Sequence, residues 1–168
     1  MILRLPQTLN AGLGGDPLVA LASHANPLLD WSVRAFAAGA KAYVLLSNTR
    51  SLYSLVLDVV PGETRTQLAE RVADAVGTIL DGTGRLAGVC NELAPESVRF
   101  AKALDRSVTG SMNELVAYSE MLLAGGDLSV PEVGVRLNDF LLSALARAGE
   151  KYSTPRAAFA ALVAGPSS

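Results

Sequence analysis

One cysteine in 168 residues, Cys90, cannot close an internal disulfide. No disulfide framework holds this chain together, and a reducing cytoplasm fits it. His24 is the only histidine and no CxxC pair is present, so a zinc site has no ligand set. Aromatic residues make up 5% of the chain and apolar residues 50%, which leaves an aliphatic, alanine-rich core. A formal net charge of −2 argues against a broad basic face for nucleic acid and a polybasic membrane anchor, and leaves room only for a local patch. No apolar run reaches the roughly 18 residues that span a bilayer, so no membrane partner is expected. Pro6, Gln7 and Asn10 interrupt the first apolar stretch, so it does not read as a secretory signal. The carboxylates are scattered without a DxD, ExxH or DxDxDG cluster, and no P-loop glycine–lysine pattern appears. No cofactor is expected. What these absences leave is one domain over residues 1–168, long enough to bury a real core.

The apolar pattern divides the chain into elements. Residues 2–5 read as a short strand stopped by Pro6. Glycines and prolines make residues 7–30 irregular, with one helical turn over 18–22. Strands follow at 33–37, 42–46 and 52–59, separated by turn residues, and form a meander. In the third, Tyr53, Leu55, Leu57 and Val59 point one way and Ser54 and Asp58 the other. That is the pattern of a half-buried strand, and Val56 breaks it by placing an apolar group on the wetter face. A helix begins at Thr64 or Thr66, buries Leu68, Val72, Val76, Ile79 and Leu80, and ends at Gly82 or Gly84. Residues 85–96 carry no clear period. A fourth strand at 98–103 leads into a helix over 107–123. Another helix over 132–147 buries Val133, Leu137, Phe140, Leu141, Ala144 and Leu145. A last one, over 156–163, follows the Ser153-Thr154-Pro155 cap. The expected fold is α+β: an antiparallel sheet of about four strands with helices packed on one face.

The junction at residues 105–111 is the candidate site. Arg106, the hydroxyls of Ser107, Thr109 and Ser111, free N–H groups at a helix start that includes Gly110, and Asn113 within the helix could hold a phosphate or carboxylate. The alternative is an ordinary helix cap, in which Asp105 or Ser107 accepts from amides two or three residues on. Asn113 and Asn138 could together read a polar ligand, or each could tie its helix to a neighbouring loop. Residues 48–50 read as a hairpin tip, where a functional Arg50 would need a second basic group. His24 reads as a surface histidine in an irregular segment, Cys90 as a small buried residue, and Trp31 as a large aromatic on the core edge.

The stretch Arg106-Ser-Val-Thr-Gly-Ser-Met-Asn-Glu114 resembles a block shared by a family of bacterial domains of unknown function. Met1-Ile-Leu-Arg4, the tryptophan-led meander from Trp31, the Asn-containing turn at Asn48 and Arg136-Leu-Asn138 resemble further parts of the same family, so the similarity spans nearly the whole chain. The resemblance implies no activity, substrate or cofactor. The glycine- and proline-rich residues 12–27 look peculiar to this chain, so a site is not expected to use the first loop. Three readings of function follow. The first is a non-enzymatic binding module for a small anionic ligand or another protein. The second is an enzyme acting on a phosphorylated small molecule, whose general base has no obvious candidate. The third is a structural homo-oligomer.

Overall fold

The computed structural model describes residues 1–104, 106–146 and 151–165. Five strands form one mixed sheet in the order β4-β3-β2-β1-β5: β1 (Ile2–Arg4), β2 (Asp30–Ala38), β3 (Lys41–Asn48), β4 (Ser54–Asp58) and β5 (Arg99–Ala101). The expected meander is present as β2-β3-β4, with antiparallel pairs such as Val33 with Leu46 and Leu45 with Val56. The sheet is not antiparallel throughout. β1 runs parallel to both of its neighbours, pairing Leu3 with Trp31 on one side and with Phe100 on the other. Lying between two other strands, β1 is buried throughout, with Ile2 and Leu3 apolar and Arg4 the one charged residue.

Helices cover both faces of the sheet rather than one. Leu3, Trp31, Val33, Val44 and Leu46 pack on one side against helix α2 (Arg65–Gly82), through Leu68, Val72, Val76 and Leu80, and against Phe159 of helix α5 (Pro155–Ala164). Phe36, Tyr43, Leu45 and Val56 pack on the other against helices α3 (Arg106–Ala124) and α4 (Val130–Leu137), through Met112, Leu115, Val133 and Leu137. The run from Tyr43 to Leu46 is buried on both faces, as a doubly covered strand requires. Val56, which breaks the expected alternation of β4, lies in this second core. The face that seemed wet is the drier one, and Leu55 and Leu57 are only partly buried.

Local chemistry sets the helix ends. Thr64 caps α2 through a reciprocal pair: the Gln67 amide donates to the Thr64 hydroxyl at 3.3 Å, and the Thr64 amide donates to Gln67 Oε1 at 2.9 Å. Helix α4 begins with the same device, Ser129 with Glu132. It stops at Leu137, well short of the expected 147. Asn138 caps the helix end, and its side chain accepts from Ser54 N at 2.7 Å and donates to Ser54 O at 2.9 Å. Beyond it Leu141 is 60% exposed, and Leu142 forms a bridge to Ser153 that delivers the chain to α5. The expected helix end at Arg147 lies outside the described residues.

The first loop differs from expectation at two points. Residues Gln7–Gly12 form helix α1, with Leu9 and Leu13 against the core. Residues 18–22 are not helical: Val19 bridges to Ala101, and Lys102 N donates to Val19 O at 2.9 Å. Residues 85–96 form three 3-10 turns beneath α2. Trp31 is fully buried, its Nε1 donating to Leu28 O at 2.8 Å, and sits in the core rather than on its edge. Cys90 is exposed, not buried.

Candidate functional site

The site is built on two polar side chains in apolar strands. Successive residues of a strand face opposite ways, so Arg4 and Asp30 turn away from the core that takes Leu3 and Trp31. Arg4 is 1% exposed. Its Nε donates to Asp30 Oδ1 at 2.7 Å and its Nη2 to Oδ2 at 2.8 Å. Nη2 also reaches Ala22 O at 3.0 Å, and Nη1 reaches Leu21 O at 3.1 Å and Lys102 O at 3.3 Å. A guanidinium has five N–H donors, and these contacts engage all of them. Asp30 also accepts from His24 N at 3.0 Å. Burial pushes the Asp30 carboxyl up, but the Arg4 hydrogen bond, the His24 amide and the Thr49 hydroxyl outweigh it and hold the pKa below the usual value. The pair is therefore a closed unit that pins the first loop at residues 21–24.

Asn48 shapes the next part. It is fully buried and donates to Pro27 O at 2.8 Å, while its Oδ1 accepts from Arg50 N, Ser51 N and the Ser51 hydroxyl. The turn expected at residues 48–50 is thus held from within and leaves Arg50 exposed at its tip. Leu52 completes the turn at φ +59°.

A cavity of about 780 Å³ lies between this turn, the first loop at Ser23 and His24, the start of α3, and α5. Of the residues expected at the site, Ser107 and Ser111 line it, together with Val108. Positions 107, 108 and 111 share one helix face, which explains the selection. Arg106, Gly110 and Asn113 are exposed and do not line the cavity. Thr109 lines a separate space of about 30 Å³, beside Arg4 and Ser32. Asp105 lies outside the described residues. Asn113 and Asn138 do not form a pair, since Asn113 is exposed while Asn138 is buried against Ser54.

Sequence reasoning missed the rest of the lining. The first loop, expected to stand apart from any site, contributes Ser23 and His24, and the β3–β4 turn contributes Thr49 and Arg50. His24 is not a free surface residue. Its Nε2 lies 3.2 Å from Glu92 Oε2, and its Nδ1 lies 3.0 Å from Asn26 N. Nδ1 also lies 3.1 Å from Asn26 O, so both ring nitrogens are engaged by the chain. The signal for Arg4 and Asp30 was available as two charges set among apolar strand residues, a pattern that needs a buried partner.

Arg50 has no ion-pair partner among the described residues. Helix α5 and the turn before it supply an apolar wall, including Leu145, Ala158, Ala161 and Leu162. Among the described residues no cluster of three or more His, Cys, Asp or Glu side chains could hold a metal, and no helix is long and apolar enough to cross a membrane. The arrangement offers a cation and the hydroxyls of Ser23, Thr49, Ser107 and Ser111, with the Arg4-paired Asp30, beside an apolar surface. No curated protein and no solved structure matches this chain. Residues 2–158 match the model of a family described as a domain of unknown function, DUF6933, and the chain belongs to that family.

Proposed function

We propose that this domain is a binding module that takes a small anionic ligand into the cavity beside the first turns of α3. One observation carries the reading: the fold brings Ser107 and Ser111 into the same cavity as Arg50, a cation with no ion-pair partner among the described residues. Hydroxyl donors and a guanidinium together suit an anion better than either alone. Arg106, in the first turn of α3, adds positive charge at the same helix end, where the helix dipole also favours an anion. Thr109, Gly110 and Asn113 fall outside the proposed pocket.

A non-enzymatic reading is favoured over catalysis on a phosphorylated substrate because the acid–base candidates are engaged. Both ring nitrogens of His24 have protein partners, and Asp30 is held as a carboxylate by Arg4. A general base must reach its proton, and neither group has a free atom directed at Ser107 by these contacts.

Calorimetric titration of the full chain tests the reading. The probes are inorganic phosphate, mononucleotides, short oligonucleotides, and carboxylates of increasing length. Saturable binding of at least one small anion is expected, with affinity reduced strongly by Arg50→Ala and less by Arg106→Ala. Absence of saturable binding across the panel, or binding indifferent to both substitutions, would remove it.

A further inference from the structure

We infer that the ligand is a monocarboxylate with an extended apolar body, such as a medium-chain fatty acid; this rests on the binding reading above and narrows it. The argument begins with charge. Among the described residues, three ionisable side chains line the cavity: Asp30, His24 and Arg50. The Asp30 carboxylate is matched by Arg4, whose guanidinium is buried and saturated with acceptors. The His24 ring is matched by Glu92, whose Oε2 lies 3.2 Å from Nε2, and its Nδ1 is engaged by the Asn26 backbone. One uncompensated positive charge remains among the described lining residues, that of Arg50. A single cation balances a single negative charge. A nucleoside di- or triphosphate would bring two or more negative charges into a space that already holds a carboxylate, and among the described residues the lining offers no lysine or second arginine to receive them. The planar guanidinium fork fits a carboxylate through two parallel hydrogen bonds.

The apolar half of the argument comes from α5. Phe159 points into the core, its ring 4.5 Å from that of Tyr53 and 6.4 Å from that of Trp31. Ala158 and Ala161 line the cavity, together with Leu162, which lies between that face and the core that takes Phe159. Two of the three are alanine, which leaves room rather than filling it. Leu52, Leu104 and Leu145 extend the same apolar lining from three other segments. A volume of about 780 Å³ falls in the range typical of small-molecule sites, roughly 300–1,000 Å³. Bare phosphate or acetate would leave most of it, and nearly all of the apolar wall, without a partner. A carboxylate with a hydrocarbon body uses both parts.

The test is titration of the full chain with sodium octanoate, octanol, inorganic phosphate and adenosine monophosphate, repeated on Arg50→Ala, Arg50→Lys and Ala161→Phe. Octanoate is expected to bind, with octanol weaker by about tenfold or more, the loss of a charge-assisted pair. Arg50→Ala should lower octanoate affinity by a similar factor and Arg50→Lys by less. Ala161→Phe, which narrows the cavity without touching charge, should weaken octanoate and octanol alike. Thermal melts confirm that each variant is folded, and because Arg50 and Ala161 act on different halves of the ligand, either variant alone decides the point. Octanol binding as tightly as octanoate, or octanoate indifferent to either Arg50→Ala or Ala161→Phe in a folded variant, overturns the inference. Binding of phosphate or the nucleotide without octanoate overturns it while leaving the anion-binding reading intact. Binding of none of the four overturns it, and the wider panel above then decides whether the broader reading also falls.

Discussion

Arg4 and Asp30, 26 positions apart in the chain, meet inside the protein as a two-pronged pair, Nε to Oδ1 at 2.7 Å and Nη2 to Oδ2 at 2.8 Å. The same guanidinium ties three carbonyls of the first loop and the β5 end to the sheet. Removing either partner strands a buried charge. Arg4→Met or Asp30→Asn is expected to lower unfolding free energy by roughly 3–5 kcal/mol, the usual cost of breaking a buried pair from one side. Urea denaturation at neutral pH measures it, and a loss below about 1 kcal/mol for both variants would show that the pair is not closed as described.

The same pair makes a pH prediction. Folding lowers the Asp30 pKa from its ordinary 3.8, so in acid the unfolded chain binds this proton more readily than the folded one. The stability contributed by Asp30 is then fully present above 3.8 and is lost as pH falls through the lower folded value. Other carboxylates add their own acid sensitivity, so the informative quantity is a difference. The gap in stability between the wild type and Asp30→Asn should shrink as pH is lowered from 5 to about 2. A gap that stays constant or widens contradicts the assignment.

Asn138 joins two elements that the sequence pattern treats as unrelated. Its amide pairs with both backbone groups of Ser54 on the edge strand and also donates to Gly134 O at 3.0 Å. It therefore acts as one more residue of the sheet at its β4 edge. Asn138→Ala leaves the Ser54 amide and carbonyl buried without these partners, at about 1–3 kcal/mol each, and a total loss of roughly 2–6 kcal/mol is expected by urea denaturation. Asn138→Asp keeps the acceptor for Ser54 N but sets a carboxylate against the carbonyls of Ser54 and Gly134. It should be at least as damaging as alanine at pH 7 and recover part of the loss in acid, when a protonated carboxyl can donate.

The elements legible in the sequence are those whose causes are local. Helix α2 carries its own cap at Thr64, its own apolar stripe and its own glycine stop, and it forms where these place it. The β2–β4 meander is equally local, because short turns leave adjacent strands little choice but to pair. What was not legible depends on distant partners. Nothing in three apolar residues says that β1 lies between β2 and β5. The helical period expected over residues 132–147 is cut short at Asn138, whose side chain bonds to Ser54, 84 positions away. At the candidate site, the hydroxyls of Ser107 and Ser111 were visible as a local block. Arg50, His24 and the α5 wall reach the same cavity only through the fold. Val56 shows the same limit, since alternation names two faces but not whether a helix covers the second.

Leu52 sets backbone strain against burial. It holds φ +59°, a left-handed conformation that costs a leucine roughly 1–2 kcal/mol, and it is buried in the α3/α4 core. Truncating a buried leucine to alanine costs about 2–5 kcal/mol and here would keep the strain. Leu52→Gly loses the same packing and relieves the strain, because glycine accepts positive φ freely. Both variants should be less stable than the wild type, but glycine should exceed alanine by about 1 kcal/mol, the reverse of the usual order. Thermal melts of the two variants side by side decide it, and alanine more stable than glycine would mean that the turn relaxes to another conformation.

Two glycines should respond to alanine in opposite ways. At Gly134, inside α4, an added Cβ would sit 3.6 Å from Leu55 Cα and 3.7 Å from Val56 N, ordinary contact distances against a backbone that need not move. Glycine in a helix interior is less favourable than alanine by about 0.5–1 kcal/mol, so Gly134→Ala should raise stability by up to that amount. At Gly15 the same Cβ would lie 2.3 Å from Asn10 Oδ1 and 2.9 Å from Arg65 Nη1. The Asn10 side chain has little freedom to yield: it is fully buried and its Nδ2 donates to Asp16 O at 2.8 Å. Gly15→Ala should therefore destabilise by roughly 1–3 kcal/mol, the range for forcing volume into a packed interior. If the packing of α4 on β4 is as close as these distances state and no closer, Gly134→Ala melts at or above the wild-type temperature while Gly15→Ala melts clearly below it. A destabilised Gly134→Ala would place α4 nearer the sheet edge, and a neutral Gly15→Ala would show that Asn10 does not anchor the first loop.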